Sequence, residues 1–287
     1  MRGCSCRGTA GVVHLSCLVE QAKILVAEAE ENNLDYNAKN ARWDRWQSCH
    51  LCKQRFHGKV RLAMGCACWK TYVGRPEGDQ ARLSAMTQLG NSLASSKFVR
   101  LALTVYEAHL SACGRILPNQ DSTATLTTKG NMVACLMALG RLSDAVRLAG
   151  DVYGKRVATQ GEAHPEAIRE GMNMAAAMIG MPQGATVHER VHIREAKKFL
   201  LEQLPLAQRV LGAEDRVTLG IRREYARALY VDEKASPDEL RESEEILDDL
   251  CRTSRRVLGP IHDQTHLALE ELVRARKRRA EVRAGEA

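Results

Sequence analysis

The chain has 287 residues, 45% of them hydrophobic but only 4% aromatic, and a formal net charge of +7. That length holds one or two domains with substantial cores, and an Ala/Leu-built, aromatic-poor composition points to helices rather than a β-sandwich. No run reaches the 18 or more apolar residues of a membrane span, and the N-terminus lacks a signal peptide's apolar stretch, so no membrane partner is expected. Seven of the ten cysteines lie between Cys4 and Cys68, in metal-type spacing. Without a secretory signal they read as reduced zinc thiolates, in the cytoplasm or the nucleus, rather than as disulfides.

The first stretch with chemistry in it runs from Cys4 to Cys52. It contains Cys4-Ser5-Cys6-Arg7-Gly8-Thr9, then His14-Leu15-Ser16-Cys17-Leu18, then Trp46-Gln47-Ser48-Cys49-His50-Leu51-Cys52-Lys53. A short gap within a pair lets both side chains reach one ion, and a distant pair completes the tetrahedron. The three pairs resemble the RING-CH family of zinc domains, known in ubiquitin ligases. There Cys-x-Cys-Arg/Lys-Gly-Ser/Thr leads into His-x-x-Cys-Leu, and Trp precedes a closing Cys-x-Leu-Cys-Lys. The family has eight ligands in four pairs, and its first Cys-x-x-Cys would precede Cys4, where this sequence has Met1, Arg2 and Gly3. The family's cross-braced wiring implies one closable zinc site from Cys4, Cys6, Cys49 and Cys52. His14 and Cys17 are then ligands of a half-site that needs other partners. Trp43 and Trp46 are core residues or, by the same resemblance, part of a surface that receives a ubiquitin-conjugating enzyme.

Between these pairs, Leu18, Ala22, Leu25 and Val26 recur at three- and four-residue spacing, which predicts an amphipathic helix from Leu18 to Glu31, broken at Asn32-Asn33. Past Phe56-His57-Gly58 a continuous apolar helix is expected from Val60 to Val73. It carries Cys66-Ala67-Cys68, which could supply ligands to the half-site only by unwinding, because residues two apart on a helix do not face one another. Buried helical cysteine is the preferred reading.

From Gly74 onward the chain repeats. Arg115-Ile116-Leu117, Arg156-Val157-Ala158, Arg209-Val210-Leu211 and Arg256-Val257-Leu258 end successive segments, and new apolar-periodic helices start near Leu83, Leu126, Ile168, Leu219 and Leu267. Such a period implies stacked helix pairs. In the second unit Ser122 to Leu139 is the first helix, Gly140-Arg141 the turn, and Leu142 to Val157 the second helix. Ala134 and Ala176 are the small residues expected where paired helices approach. The pattern resembles tetratricopeptide repeats of the kinesin-light-chain type, through Arg209-Val210-Leu211-Gly212, Arg256-Val257-Leu258-Gly259, His164-Pro165 and Thr218-Leu219. Inserts fall at Met181 to Val191 and Val231 to Leu240. Four helix pairs and a final helix, Gln264 to Val282, are expected, the last with a charged outer face suited to a cap.

Two further motifs have plainer explanations. His188-Glu189-Arg190-Val191-His192 spells the zinc-protease pattern, but it lies in an insert, with Glu195 and Lys198 where the extended motif has Gly and His. It reads as a solvated first helical turn. The Arg274 to Arg279 cluster lacks aromatic stacking partners, so nucleic acid is not expected. No phosphate loop and no nucleophilic triad is evident.

The expected fold class is mainly α, a tetratricopeptide-like solenoid with a small cross-brace zinc module. Residues 1–58 form the partial zinc domain, 59–75 a connecting helix, 76–282 the repeats, and 283–287 a tail. The expected function is a zinc-binding scaffold whose repeats hold a protein or peptide, with no small-molecule substrate. The alternative is an E3 ubiquitin ligase in which the zinc module recruits a ubiquitin-conjugating enzyme. An in-frame Cys-x-x-Cys encoded upstream of Met1 would favour it.

Overall fold

The structure is a computed structural model that describes residues 3, 4, 6, 13–116, 121–180, 187–260 and 262–285, without the side chains of 187–191 and 285. Arg7, Gly8 and Thr9 of the N-terminal motif, and Pro182 and Gly184 of the first insert, lie outside the described residues. The chain divides into two compact units, Met1–Leu139 and Gly140–Ala287.

The first unit contains α1 (Leu15–Glu31), α2 (Tyr36–Trp43), a single 3₁₀ turn (Asp44–Trp46), α3 (Gly58–Tyr72), α4 (Gln80–Ser95), α5 (Val99–Ile116) and α6 (Thr123–Ala138). Helix α1 starts one turn before the expected Leu18 and buries Ala22, Val26 and Ala29, the stripe its periodicity marks. The side chains of Asp79 and Ser122 cap α4 and α6 by accepting from Arg82 N and Thr125 N, each bond relieving an orphan donor. Helices α3, α4, α5 and α6 pack in succession.

The second unit contains α7 (Leu142–Gln160), α8 (Pro165–Gly180), α9 (Val187–Leu211), α10 (Arg216–Val231), α11 (Pro237–Val257) and α12 (Asp263–Gly285). Consecutive helices pack as hairpins, and α8, α10 and α12 also lie side by side. Helices α7, α9 and α11 are each followed by a glycine of positive φ, Gly161 (83°), Gly212 (97°) and Gly259 (95°). That left-handed residue ends a helix at no steric cost, so the recurring glycine of the repeat ending is a structural stop signal. Within the second insert, Pro237 opens α11 beside a reciprocal capping box of Ser236 and Glu239.

The mainly α, helical-repeat architecture expected from the sequence is what the structure contains. From Gly74 on, the described helices are α4 to α12, in the expected order. The boundary between units falls at Leu139/Gly140, inside the expected second repeat. One expectation shifts by a residue. Ala134 is exposed and Ala176 half-buried, while Val133, Cys135, Ala175 and Ala177 are buried. One residue turns a helix by about 100°, so the neighbours of the expected alanines fill the seam. In α4 that seam holds Gly90, whose added Cβ would lie 2.4 Å from Tyr106 Cε1 of α5.

In the second unit a buried carboxylate recurs on α8, α10 and α12, each held by arginine. Glu170 accepts from Arg169 at 2.8 Å. Glu224 accepts from Arg223 at 2.6 Å and Arg227 at 3.3 Å. Glu271 accepts from Arg274 at 2.9 Å and from the Tyr230 hydroxyl of α10. The C-terminal arginine cluster is likewise no free basic patch, because Arg276 and Arg279 reach Glu244 of α11 at 3.0 and 2.7 Å.

Candidate metal centre

The Cys49–Cys52 limb is built by a tight turn. Ser48 and Arg55 form an isolated antiparallel bridge, Cys49 N donates to Gln54 O at 2.9 Å, and Lys53 N donates to Cys49 O at 2.9 Å. Lys53 takes φ 58°, a left-handed conformation that folds the chain back after Cys52. Phe56 N closes the loop on Gln47 O at 2.7 Å. Across from it, the Cys4 limb is pinned by His57 N donating to Gly3 O at 3.0 Å. An added Cβ on Gly3 would sit 2.4 Å from Val60 Cβ; only glycine lets this strand lie flush on α3.

These two limbs bring Cys4, Cys6, Cys49 and Cys52 together, with all four Sγ atoms within 4.8 Å of one another. Cys6 Sγ and Cys49 Sγ are 3.7 Å apart. A disulfide would need about 2.05 Å. Four sulfurs at about 2.3 Å from one ion form a tetrahedron with edges of about 3.8 Å, so the separation suits shared ligation. The four thiols are unpaired by disulfides, Cys4 and Cys49 buried, Cys6 and Cys52 partly so. The donor set therefore fits a metal ion, and it favours soft, tetrahedral metals.

Electrostatics of the cluster point the same way. Burial pushes the Cys4 thiol up to about 12, against the Cys6 backbone N–H. Burial also opposes ionisation at Cys49, but the backbone N–H groups of Cys52 and Leu51 outweigh it and bring that thiol to about 7. The Cys49 thiolate is thus stabilised by aimed amides while Cys4 and Cys6 resist ionising beside it, since like charges at this distance repel. A cation at the centre would remove that penalty.

His14 and Cys17, the other sequence-predicted ligands, stand apart from this group. His14 is the N-cap residue of α1, Cys17 lies in its first turn, and both are exposed. Cys66 and Cys68 lie on unbroken α3; Cys68 is fully buried, and burial raises its thiol strongly. Of the protease-like motif, the side chains of His188, Glu189, Arg190 and Val191 lie outside the described residues; the backbone there is the first turn of α9, and His192 is half-buried.

Trp43 and Trp46 take the core role the sequence offered them, but the residues that hold them, Tyr72, Gln88 and the Arg75–Glu30 pair, left no such signal in the spacing. Trp46 is fully buried, with Trp43 beside it, and their rings meet Tyr72 of α3 at 5.9 and 5.4 Å. Gln88 of α4 donates to Trp46 O at 3.2 Å. Arg75 clasps Glu30 of α1 with both terminal nitrogens, at 2.7 and 2.8 Å, and stacks over Tyr72 at 4.8 Å. A buried glutamine inside an apolar helix was the available signal for Gln88.

Neither a family model nor a curated protein matches the chain. Among solved structures, a putative kinesin light chain with nearly identical TPR-like repeats from Podosopora anserina is 16% identical, with TM-score 0.47, over 85% of this chain and 98% of that one. A point variant of the same protein aligns at 17% identity and TM-score 0.48 with the same coverage. BtubC (BKLC) from P. vanneervenii is 14% identical, with TM-score 0.45, over 95% of this chain and 93% of that one. Among the described residues no helix is long and apolar enough to cross a membrane.

Proposed function

We propose that the chain is a zinc-binding protein-interaction scaffold. Cys4, Cys6, Cys49 and Cys52 hold one structural zinc ion, and the helical repeats bind a protein or peptide. The observation that carries the metal reading is the four-sulfur cluster with its 3.7 Å Cys6–Cys49 edge. Four protein ligands leave no open coordination position, so the ion shapes the fold and performs no chemistry on a substrate. His14 and Cys17 would ligate a second ion only with partners brought from elsewhere.

The scaffold reading draws support from α8, α10 and α12. Half-exposed Arg169 and Asn173 on α8 and Arg223 and Arg227 on α10 are each four residues apart, and exposed Arg274 stands on α12. Buried Glu170, Glu224 and Glu271 fix the four arginines in place, and Glu170 also accepts from Asn173 at 3.0 Å. Long polar side chains held before a partner arrives lose less entropy on binding.

The ligase alternative asks for a surface that receives a ubiquitin-conjugating enzyme. Trp46, which the family resemblance would place near such a surface, is fully buried, so the scaffold reading stands ahead. Native mass spectrometry of reduced protein should show one zinc ion per chain, lost in Cys52→Ser. No ion in the unaltered chain would end the metal reading. Accelerated discharge of ubiquitin from a charged conjugating enzyme would replace scaffold with ligase.

A further inference from the structure

Helix α3 is apolar on nearly every side: Val60, Leu62, Ala63, Met64, Ala67, Cys68 and Trp69 leave little polar face. A helix of that kind needs cover all round. One side is met by α4 at very close range, since an added Cβ on Gly65 would lie 2.5 Å from Ser92 Cβ. The other side is covered by the cysteine-bearing segment and α1. Cys4, Cys49, Trp46, Phe56, Ala22 and Val26 form one buried cluster with Val60, Met64, Cys68 and Tyr72 of α3 and Ala81 and Ala85 of α4.

Two of the four sulfurs are therefore part of the core that closes over α3 and α4. Outside α1 and α2, little regular structure holds this cover in place. Among the described residues it is tied by the backbone bonds of the Asp44–Ser48 and Cys49–Phe56 turns and the Gly3–His57 pair, and to the helices by Gln88–Trp46 and Arg75–Glu30. Short turns of this kind, which carry four thiols into one cluster, gain order from an ion that ligates them.

We infer that the metal-loaded segment is the N-terminal cap of the helical array, and that α3 and α4 keep their packing only while the site is loaded. Metal occupancy then regulates whether the first helix pair is available as part of the scaffold. The inference rests on the zinc reading above and adds to it a defined footprint: ordering extends past residue 57 into α3 and α4, and stops short of the second unit.

Hydrogen–deuterium exchange on the full chain tests this, comparing zinc-loaded, EDTA-treated and zinc-restored samples in reductant, with native mass spectrometry on the same samples. Peptides from 13–57 and from 58–95 should together lose protection on chelation by about tenfold or more, and regain it with zinc. Peptides from α10 and α11 should not change, and Cys52→Ser should reproduce the chelated pattern. Loss confined to 13–57, with α3 and α4 still protected, would overturn the cap. So would loss that spreads to α10 and α11. A chain that takes up no zinc fails in the mass spectrum, which marks failure of the metal reading itself.

Discussion

Gly90→Ala sets helix propensity against packing, and the structure says packing wins. Alanine in place of a mid-helix glycine should gain about 1 kcal/mol from backbone entropy alone. Yet the new methyl would fall 2.4 Å from Tyr106 Cε1 and 2.9 Å from both Cδ1 and Cζ. Tyr106 is 1% exposed, so its ring has nowhere to go, and its hydroxyl donates to Asn91 Oδ1 at 2.7 Å. Overpacking costs about 1–3 kcal/mol, and disturbing that hydrogen bond about 1 more. The net loss is then about 1–3 kcal/mol. All three tryptophans, Trp43, Trp46 and Trp69, lie in the first unit, so their fluorescence during urea unfolding reports that unit alone. At a slope of about 2 kcal/mol per molar urea, the midpoint should fall by roughly 0.5–1.5 M. In a Tyr106→Leu background the same substitution should cost less, because the rigid ring is gone. A rise in midpoint for Gly90→Ala would refute the reasoning, since it would mean that α4 and α5 are not in the close contact described.

Lys197 bridges Asp232 at 2.9 Å and Glu239 at 3.0 Å while itself 14% exposed. Lys197→Ala leaves both carboxylates with backbone N–H partners but no ammonium and should cost about 1–2 kcal/mol at pH 7, discounted from a fully buried pair because Glu239 is partly wet. Burial works against both acids, but the Lys197 ammonium at Asp232, and the Ser236 N–H together with that ammonium at Glu239, hold them below the usual carboxylate range. Their contribution is therefore present above about pH 4 and lost as pH falls through their folded values. The deficit of the variant, followed by circular dichroism in urea, should shrink toward pH 3. His109 is 1% exposed, 3.1 Å from Thr128 Oγ1 and 3.7 Å from Cys113 Sγ, and burial depresses its proton affinity. A base lowered on folding stabilises the fold above its unfolded pKa of about 6.5, and that stability fades as pH drops from there. An NMR titration should find the His109 ring titrating below the unfolded value; a midpoint at or above it would contradict its burial.

What could be read from the sequence divides along a physical line. Local signals were legible. The one- and two-residue gaps in Cys4/Cys6 and Cys49/Cys52 marked the four sulfurs that the fold brings together, and the glycine after Arg209-Val210-Leu211 and Arg256-Val257-Leu258 marked real helix ends. Periodicity placed α1, α3, α6 and α12 to within a turn at each end. Contacts between elements left no such trace. Nothing in the spacing ties Gln88 to Trp46, Gly3 to Val60 or Gly65 to Ser92, since each pair meets only after helices pack. The seam was misplaced by one residue at Ala134 and Ala176 because a run of small residues, as in Met174 to Met178, offers several faces of similar hydropathy. Pro205 within α9 shows tertiary context overriding a local breaker, as packing can when it outweighs one lost backbone bond.

The two units reach order by different physics, and this bears on how a scaffold built from them would respond to its surroundings. In the first, the apolar cluster around Val60, Met64 and Trp46 is closed by thiols that are poor at ordering themselves: Cys4 resists ionisation while Cys49 favours it. On the proposed metal reading, such a core would answer to metal supply and to oxidation of sulfur. In the second, apolar seams are supplemented by charge: Arg222 meets Asp249 at 2.8 Å, Arg279 meets Glu244 at 2.7 Å, and Arg223 and Arg227 share Glu224. The first two pairs are partly exposed and weaken as salt screens them, within a Debye length of about 8 Å at physiological ionic strength. Glu224, at 3% exposure, is shielded from that screening and keeps its arginines placed. On the proposed reading, the surface formed by α8, α10 and α12 would stay organised under conditions that would keep the N-terminal cysteine site empty, because its arginines are placed by buried carboxylates and not by those thiols.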